Sequence, residues 1–536
     1  MAELLIGGVV MLIVIAGAAT VGPKLGVAAP LILVAVGIVG SVVPFVPEVE
    51  IDPEWVLEGL LPPLLYSSAV AMPTMNFRRD FGAIGGLSVV LVVLTAVTLG
   101  VFFAWAIPGL SLAWGIALGA VISPTDAVAT SIIRQAPVPR RVVAILDGES
   151  LLNDATALVL LRTAIAATAA AFSFGAAVGT FAWSVLVAVV VGGVVGWANL
   201  AVRHRVADAT VNTVISFTVP FVASVPTELL GGSGLVAAVV AGIVTGYRAP
   251  RMLSARHRLS DSQNWRTIEV VLEGIVFLTM GLHLSGIVAE VHREHAGIGS
   301  ALLVAVGALV LGLLVRAGYV GLLLAALAHR ARRSVALQPR IRQFGERLAR
   351  RVAEGEPAGR PIPERRVRRA GSRVRRALAD IDYFLAQPLG LREGFVVVWA
   401  GMRGAITVAA AQTLPADTPN RPLLIFVAFA VATLSLLCQG ATVGPLVRRL
   451  LGPARPGDDL RDERASVLEL LRTVSAGVPR DPSASPKQHR LAVLSAQRAA
   501  ILDARDDGAF DAEVLQAALS NIDAAQIALE MRGGPV

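Results

Sequence analysis

Two carboxylates in a strongly apolar stretch are the residues of this chain best placed to do chemistry. Residues 146–158 have the sequence LDGESLLNDATAL, which contains Glu149 and Asp154. At about 100° per residue, a helix places Glu149 beside Asn153 on one face. Ser150 and Asp154, also four residues apart, share that face. A charge inside a bilayer costs about 3 kcal/mol, and a cluster of side-chain oxygens suits a hard cation or a proton.

A second polar break lies in another apolar stretch, where residues 121–128 have the sequence VISPTDAV. Ser123 suits a helix N-cap, Pro124 the first helical position, and Asp126 the third position of a capping box. We therefore predict that a helix ends before Ser123 and restarts there. Such breaks are tolerated at bilayer depth only when buried or lining a cavity, and they build ion sites in secondary transporters. A simple proline kink is the alternative.

A third feature is Arg403, which lies between glycines in the apolar sequence WAGMRGAI at residues 399–406. A buried arginine needs a carboxylate, and Glu149 and Asp126 are the candidates. A pair between Glu149 and Arg403 would leave Asp154 as the carboxylate that is free to titrate. The alternative is an arginine that extends to the membrane interface.

Composition predicts the elements that position these residues. The chain is 55% apolar and 16% charged, with a mean hydropathy of +0.69, whereas soluble domains are about 25% charged. Apolar runs of about 20 residues, long enough to cross about 30 Å of hydrocarbon, recur along it. We predict thirteen membrane-spanning helices, at about 3–21, 26–46, 54–73, 83–107, 110–134, 142–169, 174–202, 209–227, 232–247, 266–289, 298–328, 393–414 and 421–449.

The charges in the loops predict how these helices are oriented. Basic residues fill every second connection, as at Lys24, Arg140 and Arg251, whereas most intervening loops are acidic or nearly uncharged, as at 47–54. Since cytoplasmic loops carry excess Lys and Arg, we predict a plasma-membrane protein with its N-terminus outside and its C-terminus in the cytoplasm. The net charge of +8 follows from this bias, so nucleic-acid binding is not predicted. Cys438 is the single cysteine, which excludes an intrachain disulfide.

Two polar segments lie outside the predicted spans. Residues 329–392 form a basic insert, which is either a solvated cytoplasmic connection or a polybasic segment that meets anionic lipid headgroups. A linker rich in glycine and proline follows at 452–457. Residues 455–536 are then polar, with apolar residues at helical spacing, which predicts a small cytoplasmic helical tail.

Several motifs together resemble one family. The motifs SPTD at 123–126, GESLLND at 148–154, GMRGA at 401–405 and QG at 439–440 are similar to those of bacterial NhaP-type sodium/proton antiporters. The sequence LPPLLY at 61–66 also fits. These antiporters belong to the monovalent cation/proton antiporters, and the resemblance extends to about residue 450.

The resemblance implies a fold and an assembly. The fold would be an all-α polytopic membrane protein of about thirteen transmembrane helices, with inverted repeats and two broken helices that cross, in spans five and twelve. Within a transmembrane domain at 1–450, a core bundle at about 83–169 and 298–450 would move against a scaffold. That scaffold and dimer part would cover about 1–73 and 174–289, and the protein would be a homodimer in membrane lipid.

The resemblance also assigns roles in ion binding. Asp154 would bind Na⁺ (or K⁺) and the proton alternately, and Ser150 and the backbone around Thr125 would supply further ligands. Asn153 would orient the site. In this family an Asn–Asp pair goes with electroneutral exchange, and the residues agree, since one titrating carboxylate can hold one proton or one monovalent cation.

Four further residues complete the expected site. Asp126 would offset the positive ends of the half-helices in the broken span, and Glu149 would pair with Arg403. Some NhaP-type members carry an acidic residue just after the Pro-Pro-Leu-Leu-aromatic run, where this chain has Ser67. Ser67 is therefore a candidate additional ligand, and potassium stays open as the transported ion.

The predicted function is secondary active exchange of Na⁺, or K⁺ or Li⁺, for H⁺ by alternating access, without a cofactor. The chain lacks a Gly-rich Lys-Ser/Thr phosphate loop and a His-Glu-x-x-His motif, which argues against a pump or a membrane protease. We therefore predict that it is not an enzyme. The alternatives are a cation- or pH-sensing membrane protein with the same fold and a K⁺/H⁺ antiporter.

Overall fold

The computed structural model describes residues 2–25, 27–43, 54–126, 128–134, 138–169, 174–293, 297–354, 364–452, 458–480 and 482–532. Within these ranges every regular element is a helix. Most of the acidic loop at 47–54, residues 355–363 of the basic insert and nearly all of the linker at 452–457 lie outside the described residues.

In the first half of the chain, the described residues form ten α-helices. Two π-helical turns, Trp55–Leu60 and Gly86–Leu91, lead directly into the third and fifth of them. The helices are α1 Ala2–Leu25, α2 Ala29–Val42, α3 Leu61–Ala71, α4 Thr74–Gly85, α5 Val92–Ala106, α6 Leu112–Ile122, α7 Val128–Ile133, α8 Arg140–Ala169, α9 Phe174–Arg203 and α10 Ala209–Leu229.

The described residues of the second half form eleven α-helices, of which the last three form the tail. The helices are α11 Gly234–Met252, α12 Ala255–Leu282, α13 Leu284–Arg293, α14 Ile298–Glu354, α15 Glu364–Ala386, α16 Leu391–Trp399, α17 Ala405–Gln412, α18 Arg421–Leu451, α19 Asp458–Ala476, α20 Pro486–Asp507 and α21 Ala512–Met531.

The membrane region follows the hydropathy of the sequence. Among the described residues, eight helices are long and apolar enough to cross a bilayer, and α2 and α6 are shorter apolar helices. Helical segments lie over all thirteen predicted ranges. The number of crossings and the inverted repeats remain predictions, because length and composition alone identify fewer spans.

The tightest helix contacts are made through glycine. A Cβ on Gly119 of α6 would lie 2.3 Å from the carbonyl oxygen of Ala96 in α5. A Cβ on Gly192 of α9 would lie 2.4 Å from the carbonyl oxygen of Ala237 in α11. Small residues at these positions let the backbones approach, as expected for helices that pack within lipid. The contact with α5 fixes the half-helix that leads to the first polar break.

Buried apolar side chains form one large cluster and two smaller ones in the membrane region. The large cluster joins α5, α6, α8, α14 and α18, and it also includes residues of α2 and α12. The smaller clusters join α3 to α8, α10 and α11. Since α2 and α12 pack with the predicted core, the division into core and scaffold remains a prediction.

The basic insert continues the membrane helices and folds back on them. Helix α14 is 57 residues long, so it continues from the predicted span into the insert. Helix α15 packs against it. The Tyr383 hydroxyl of α15 donates to Asp80 Oδ2 at 3.2 Å, and the Arg141 guanidinium lies 4.7 Å from the Phe384 ring. Burial and the Asp80 carboxylate raise the pKa of Tyr383. The described part of the insert therefore comprises the end of α14 and the docked helix α15, and the alternative that the insert meets lipid headgroups stays untested.

The tail is a small helical unit with its own apolar cluster, which includes Val467, Ile501 and Leu515. Its middle helix α20 begins at a capping box in which Ser485 and Gln488 satisfy each other's backbone N–H groups. The same helix ends at Gly508, whose φ of 72° is in the left-handed region that favours glycine. Local sequence signals thus set both ends of α20.

Candidate ion-binding site

The first polar break is a true gap between two helices. Helix α6 ends at Ile122, residues 123–126 are non-helical and α7 begins at Val128. The prediction that a helix restarts at Ser123 is wrong, because the Ser123 hydroxyl donates to the carbonyl of Ala120 and does not cap a new helix. Asp126 acts in its place, since its Oδ1 accepts from the Val128 N–H at 3.0 Å.

A second gap separates α16, which ends at Trp399, from α17, which begins at Ala405. The two gaps touch, because the Asp126 N–H donates to the Met402 carbonyl at 2.7 Å. This bond uses the N–H that a Ser123 cap would have bound, and the Ser123 hydroxyl bonds to Ala120 instead. We call these contacting gaps, 123–126 and 400–404, the crossing.

Gly404 allows the two gaps to meet. A Cβ at this position would lie 1.4 Å from Asp126 Oδ2, so any other residue would overlap the carboxylate. Gly404 is also the N-cap of α17. The Asp126 carboxylate therefore lies at the N-terminus of a helix, where the helix dipole favours negative charge.

Helix α8 is fastened to the crossing by a buried chain of hydrogen bonds. The Asn153 amide donates to Thr125 Oγ1 at 2.8 Å and to the Thr125 carbonyl at 3.2 Å. Thr125 Oγ1 in turn donates to Glu149 Oε1 at 3.1 Å. The Asn153 Oδ1 atom is buried without a partner among the described residues. Three residues that the sequence grouped as site candidates are thus in direct contact.

Glu149 is neutralised by an arginine that sequence reasoning missed. Both guanidinium Nη atoms of Arg316 in α14 bond to the Glu149 carboxylate, with Nη2 lying 2.8 Å from Oε2. Arg316 also donates to the Val397 carbonyl at 2.9 and 3.0 Å. The available signal was that Arg316 is the only charged residue in the apolar run 298–328.

The predicted pair between Glu149 and Arg403 is therefore wrong. Arg403 donates instead to the carbonyl of Ile122 at 3.2 Å and to that of Gly401 at 2.6 Å. The carbonyls at the end of α6 lose their helical partners at the gap, and a guanidinium supplies replacement donors. Arg403 donates hydrogen bonds to backbone carbonyls at the crossing, whereas Arg316 pairs with the Glu149 carboxylate.

Asp154 has a different environment from Glu149. Its side chain is buried, with 5% of the residue exposed, and no described residue forms a hydrogen bond or ion pair with its carboxylate. It lies close enough to Asp126 for the two carboxylates to interact electrostatically. Asp154 is thus a buried acid with a like charge nearby and no neutralising group among the described residues.

Two predicted ligands form no hydrogen bond with Asp154 among the described residues. The Ser150 hydroxyl donates to the Asp147 carbonyl at 3.2 Å. Ser67 is buried in α3 with 5% exposure, and no described hydrogen bond joins it to the site. Helix α3 nevertheless packs on α8, where Leu65 and Leu151 belong to one apolar cluster. Their roles as ligands remain predictions.

Further polar residues that sequence reasoning left unassigned support the crossing. Ser435 of α18 accepts from the Arg403 N–H at 3.0 Å and donates to Gln439. The Gln439 amide donates to the Trp399 carbonyl at 3.0 Å, which explains the Gln-Gly motif in physical terms. In α12, Glu273 lies within electrostatic range of Asp126 and was missed, although a carboxylate in an apolar span was a usable signal.

Two broken helices that meet at buried carboxylates, within a bundle of apolar helices, are the features of a secondary transporter. The chain belongs to the sodium/hydrogen exchanger family, whose transmembrane family model matches residues 9–449. This is a family of transporters and not of enzymes, and the predicted resemblance to NhaP-type antiporters is confirmed.

Individual relatives agree with this assignment. The chain is 29% identical over 489 residues to an uncharacterised Na(+)/H(+) exchanger of Mycobacterium bovis, covering 88% of this chain and 79% of that protein. It is 25% identical over 445 residues to the Na(+)/H(+) antiporter ApNhaP of Aphanothece halophytica, covering 81% and 73% of the two chains. The structure of the sodium proton antiporter MjNhaP1 from Methanocaldococcus jannaschii shares the fold, with a TM-score of 0.57 at 15% identity, covering 84% of this chain and 100% of that chain.

Proposed function

We propose that this protein exchanges one monovalent cation for one proton across the plasma membrane by alternating access, with Asp154 as the carboxylate that binds either ion. The observation that carries this proposal is the contrast between two buried acids. Glu149 has Arg316 as a permanent counter-charge, whereas Asp154 has none among the described residues. A bare carboxylate at bilayer depth is costly, so Asp154 must take up a proton or a cation.

The other polar groups support one-for-one exchange. Asn153 is neutral and is occupied with Thr125, and Asp126 lies at the N-terminus of α17, whose dipole offsets its charge. That leaves Asp154 to bind one cation, with Ser150 one helical turn away and the backbone around Thr125 as additional ligands. In this proposal the Ser150 hydroxyl turns from the Asp147 carbonyl toward the bound ion.

The proposed transport cycle needs no ATP and no cofactor. The core bundle crosses between its two positions, against the scaffold of a homodimer, only when a proton or a cation neutralises Asp154. Inward flow of one ion then drives outward flow of the other. The N-terminus faces outside and the C-terminus faces the cytoplasm in this arrangement, as the basic loops favour.

Exchange in proteoliposomes tests the proposal directly. Adding Na⁺ or K⁺ to vesicles that hold a pH gradient should collapse that gradient, and Asp154→Asn should abolish the effect. The matched control is Asp417→Asn, because Asp417 is exposed in a loop outside the crossing. Full exchange by the Asp154 variant would refute the assignment.

Competition and charge balance give two further readouts. One proton and one cation compete for one carboxylate. In the acidic range the apparent KM for the cation should therefore rise about tenfold for each unit by which the pH is lowered. An imposed membrane potential should leave the rate unchanged, since no net charge moves in a one-for-one cycle. A rate that follows the potential would show that more than one proton is exchanged for each cation.

The transported cation is open to the same assay. Rates with lithium, sodium and potassium should be compared between the native protein and Ser67→Glu, which restores the acidic residue of some relatives. Ser68→Glu is a suitable control, because Ser68 is exposed on the same helix while Ser67 is buried. A selectivity change confined to the Ser67 variant places that residue near the ion, and equal selectivity removes it from the site.

A second candidate function is a cation or pH sensor that signals through the tail. It is favoured by ion pairs that join tail carboxylates to the membrane region, such as Asp511 with Arg140 at 2.7 Å. Truncation after residue 455 discriminates the two. Exchange that survives truncation identifies a transporter with an appended tail, whereas an intact membrane region that never exchanges ions in either form supports the sensor.

A further inference from the structure

A cavity lies where the membrane helices meet the insert and the tail. It is formed by the start of α4, the ends of α9 and α11 that precede the basic connections, helix α15 and the end of α20. Four arginines line it, against a single carboxylate from Asp506, so its lining carries a formal charge of 4 − 1 = +3. We call it the basic cavity. Its arginines are Arg78, Arg248, Arg376 and Arg505.

Two of these arginines have little or no compensation within the protein. Arg248 is exposed and has no hydrogen bond or ion pair with any described residue. Arg78 contacts Asp380 at 3.5 Å, but the same oxygen of Asp380 accepts from Arg79 at 2.7 Å. Arg78 therefore holds only the longer of the two contacts with this oxygen, and its other guanidinium donors have no hydrogen bond to any described residue.

Arg376, the arginine from α15, likewise makes only the longer contact with a carboxylate that a neighbouring arginine binds more closely. Arg376 lies 3.9 Å from Asp507, while Arg375 lies 2.8 Å from that carboxylate. The Nε of Arg376 is buried and has no hydrogen-bond partner among the described residues. The Arg376 side chain is 39% exposed, so an incoming anion would reach its terminal Nη donors, which have no hydrogen bond to any described residue.

The tail arginine repeats the pattern. Arg505 lies 3.4 Å from Asp506, whose carboxylate is held at 2.8 Å by Arg251. Its Nε also lacks a partner among the described residues, although its Nη2 donates to the Tyr247 carbonyl at 3.0 Å. Asp380, Asp507 and Asp506 are thus each bound more closely by an arginine outside the cavity lining. The arginines of the basic cavity therefore keep unused donors.

Part of the wall of the basic cavity is apolar. It is formed by Trp197 of α9 together with Ile243 and Val244 of α11. Trp197 is 55% exposed and Tyr247 is 43% exposed, and both are of the residue types that gather at membrane–water interfaces. Basic donors beside an exposed apolar wall match a ligand that has an anionic head and a hydrocarbon chain.

We propose that the basic cavity binds an anionic phospholipid from the adjacent leaflet, which is the cytoplasmic leaflet in the proposed orientation. The headgroup phosphate accepts from the free donors of Arg78, Arg248, Arg376 and Arg505, and an acyl chain lies along the wall of α9 and α11. Pockets of basic residues between membrane helices bind anionic headgroups for this reason. The lipid would join α4, α11, α15 and α20 at one point.

Lipid binding to the full-length protein in mild detergent tests the proposal. Native mass spectrometry and thermal melting should show phosphatidylglycerol bound in preference to phosphatidylcholine. Arg248→Gln should weaken phosphatidylglycerol by about fivefold, the contribution of one arginine near an anionic headgroup. Arg205→Gln is the matched control, since Arg205 is also exposed near a basic connection but does not line the cavity. Equal effects of the two substitutions, or no effect of Arg248→Gln, would overturn the site.

Two further arms separate a lipid from a free anion and from a misfolded variant. Inorganic phosphate at millimolar concentration should neither raise the melting temperature nor displace phosphatidylglycerol. The lipid assignment fails if phosphate has both of these effects. Trp197→Ala should weaken phosphatidylglycerol while leaving the size-exclusion profile unchanged. Unchanged lipid affinity in that folded variant would refute the acyl-chain wall.

Discussion

At the scale of single residues, the two arginines near the crossing perform different chemistry. Arg316 forms a bidentate pair with Glu149 and reaches the Val397 carbonyl with its remaining donors. Arg403 forms no ion pair with any described carboxylate and donates to backbone at both gaps. Since an unpaired buried charge is costly, the loss of Arg316 should be felt mainly through the charge left on Glu149.

A double-mutant cycle tests this division. Arg316→Met alone should lower the free energy of unfolding by about 3–5 kcal/mol, because it leaves a buried carboxylate unpaired. Combining it with Glu149→Gln should recover part of that loss, giving a coupling of about 1–3 kcal/mol. Unfolding in detergent provides the measurement. The cycle between Glu149 and Arg403 is the comparison, and a larger coupling there would contradict the observed pair.

Thr125 offers a second test at this scale, because its hydroxyl both accepts from Asn153 and donates to Glu149. Thr125→Val should remove both bonds and slow exchange by roughly tenfold, as expected when about 1–3 kcal/mol of buried hydrogen bonding is lost. Thr125→Ser keeps the hydroxyl and should retain most of the rate. Initial rates in proteoliposomes distinguish them, and equal rates for the two variants would remove Thr125 from the site.

At the scale of elements, the crossing is an exchange of backbone partners between two interrupted helices. The N–H of Asp126 donates to the carbonyl of Met402, and the side chain of Arg403 in the second gap donates to the carbonyl of Ile122. Each interruption exposes groups that the other satisfies, which is why non-helical backbone persists at bilayer depth. Neither gap should be stable without the other.

Gly404→Ala tests the contact on which this exchange depends. The added Cβ would overlap Asp126 Oδ2, so the gaps should separate, with the loss of most exchange and a lower melting temperature. Gly318→Ala is the matched control, because no atom lies within 4 Å of a Cβ built at Gly318 in α14. That variant should keep full activity. A fully active Gly404 variant would show that the contact is not needed.

The sequence predicted the elements of the site better than their partners. The break near Ser123 follows from local residue types, and helical spacing placed Asn153 beside Glu149 because that spacing is a short-range property, whereas Thr125 entered only through the family resemblance. The partner of Glu149 was missed, since Arg316 lies 167 positions away and its pairing depends on how α14 packs. Arg403 attracted attention through its flanking glycines, whose reason is the close contact with Arg316 and Asp126.

At the scale of the whole molecule, the tail connects membrane helices that lie far apart in the sequence. Asp523 of α21 pairs with Arg258 of α12 at 2.5 Å and with Arg498 of α20 at 2.8 Å. Asp511 pairs with Arg140 at the start of α8. Single surface pairs contribute about 0–1 kcal/mol, so docking depends on the network as a whole and should weaken as salt rises.

Asp523→Asn tests the tail network. Loss of its charge removes the partner of two arginines at once, so the amides of α21 should exchange faster with solvent deuterium than in the native protein. Glu469→Gln is the control, because Glu469 pairs only with Arg472 on its own helix, with both side chains exposed. Equal protection of α21 in the native protein and the Asp523 variant would show that apolar contacts alone hold the tail.

The length of α14 has a mechanical consequence. Its 57 residues correspond to about 86 Å at 1.5 Å per residue. Pro339 lies inside the helix and is expected to bend it, so the straight part that Arg316 shares ends near Leu337, about 32 Å along the axis from Arg316. Each degree by which this straight part tilts about Arg316 then displaces Leu337 by roughly 0.5 Å. A label at Leu337, whose side chain is exposed, would magnify rotations at the ion site that are too small to see within the bilayer.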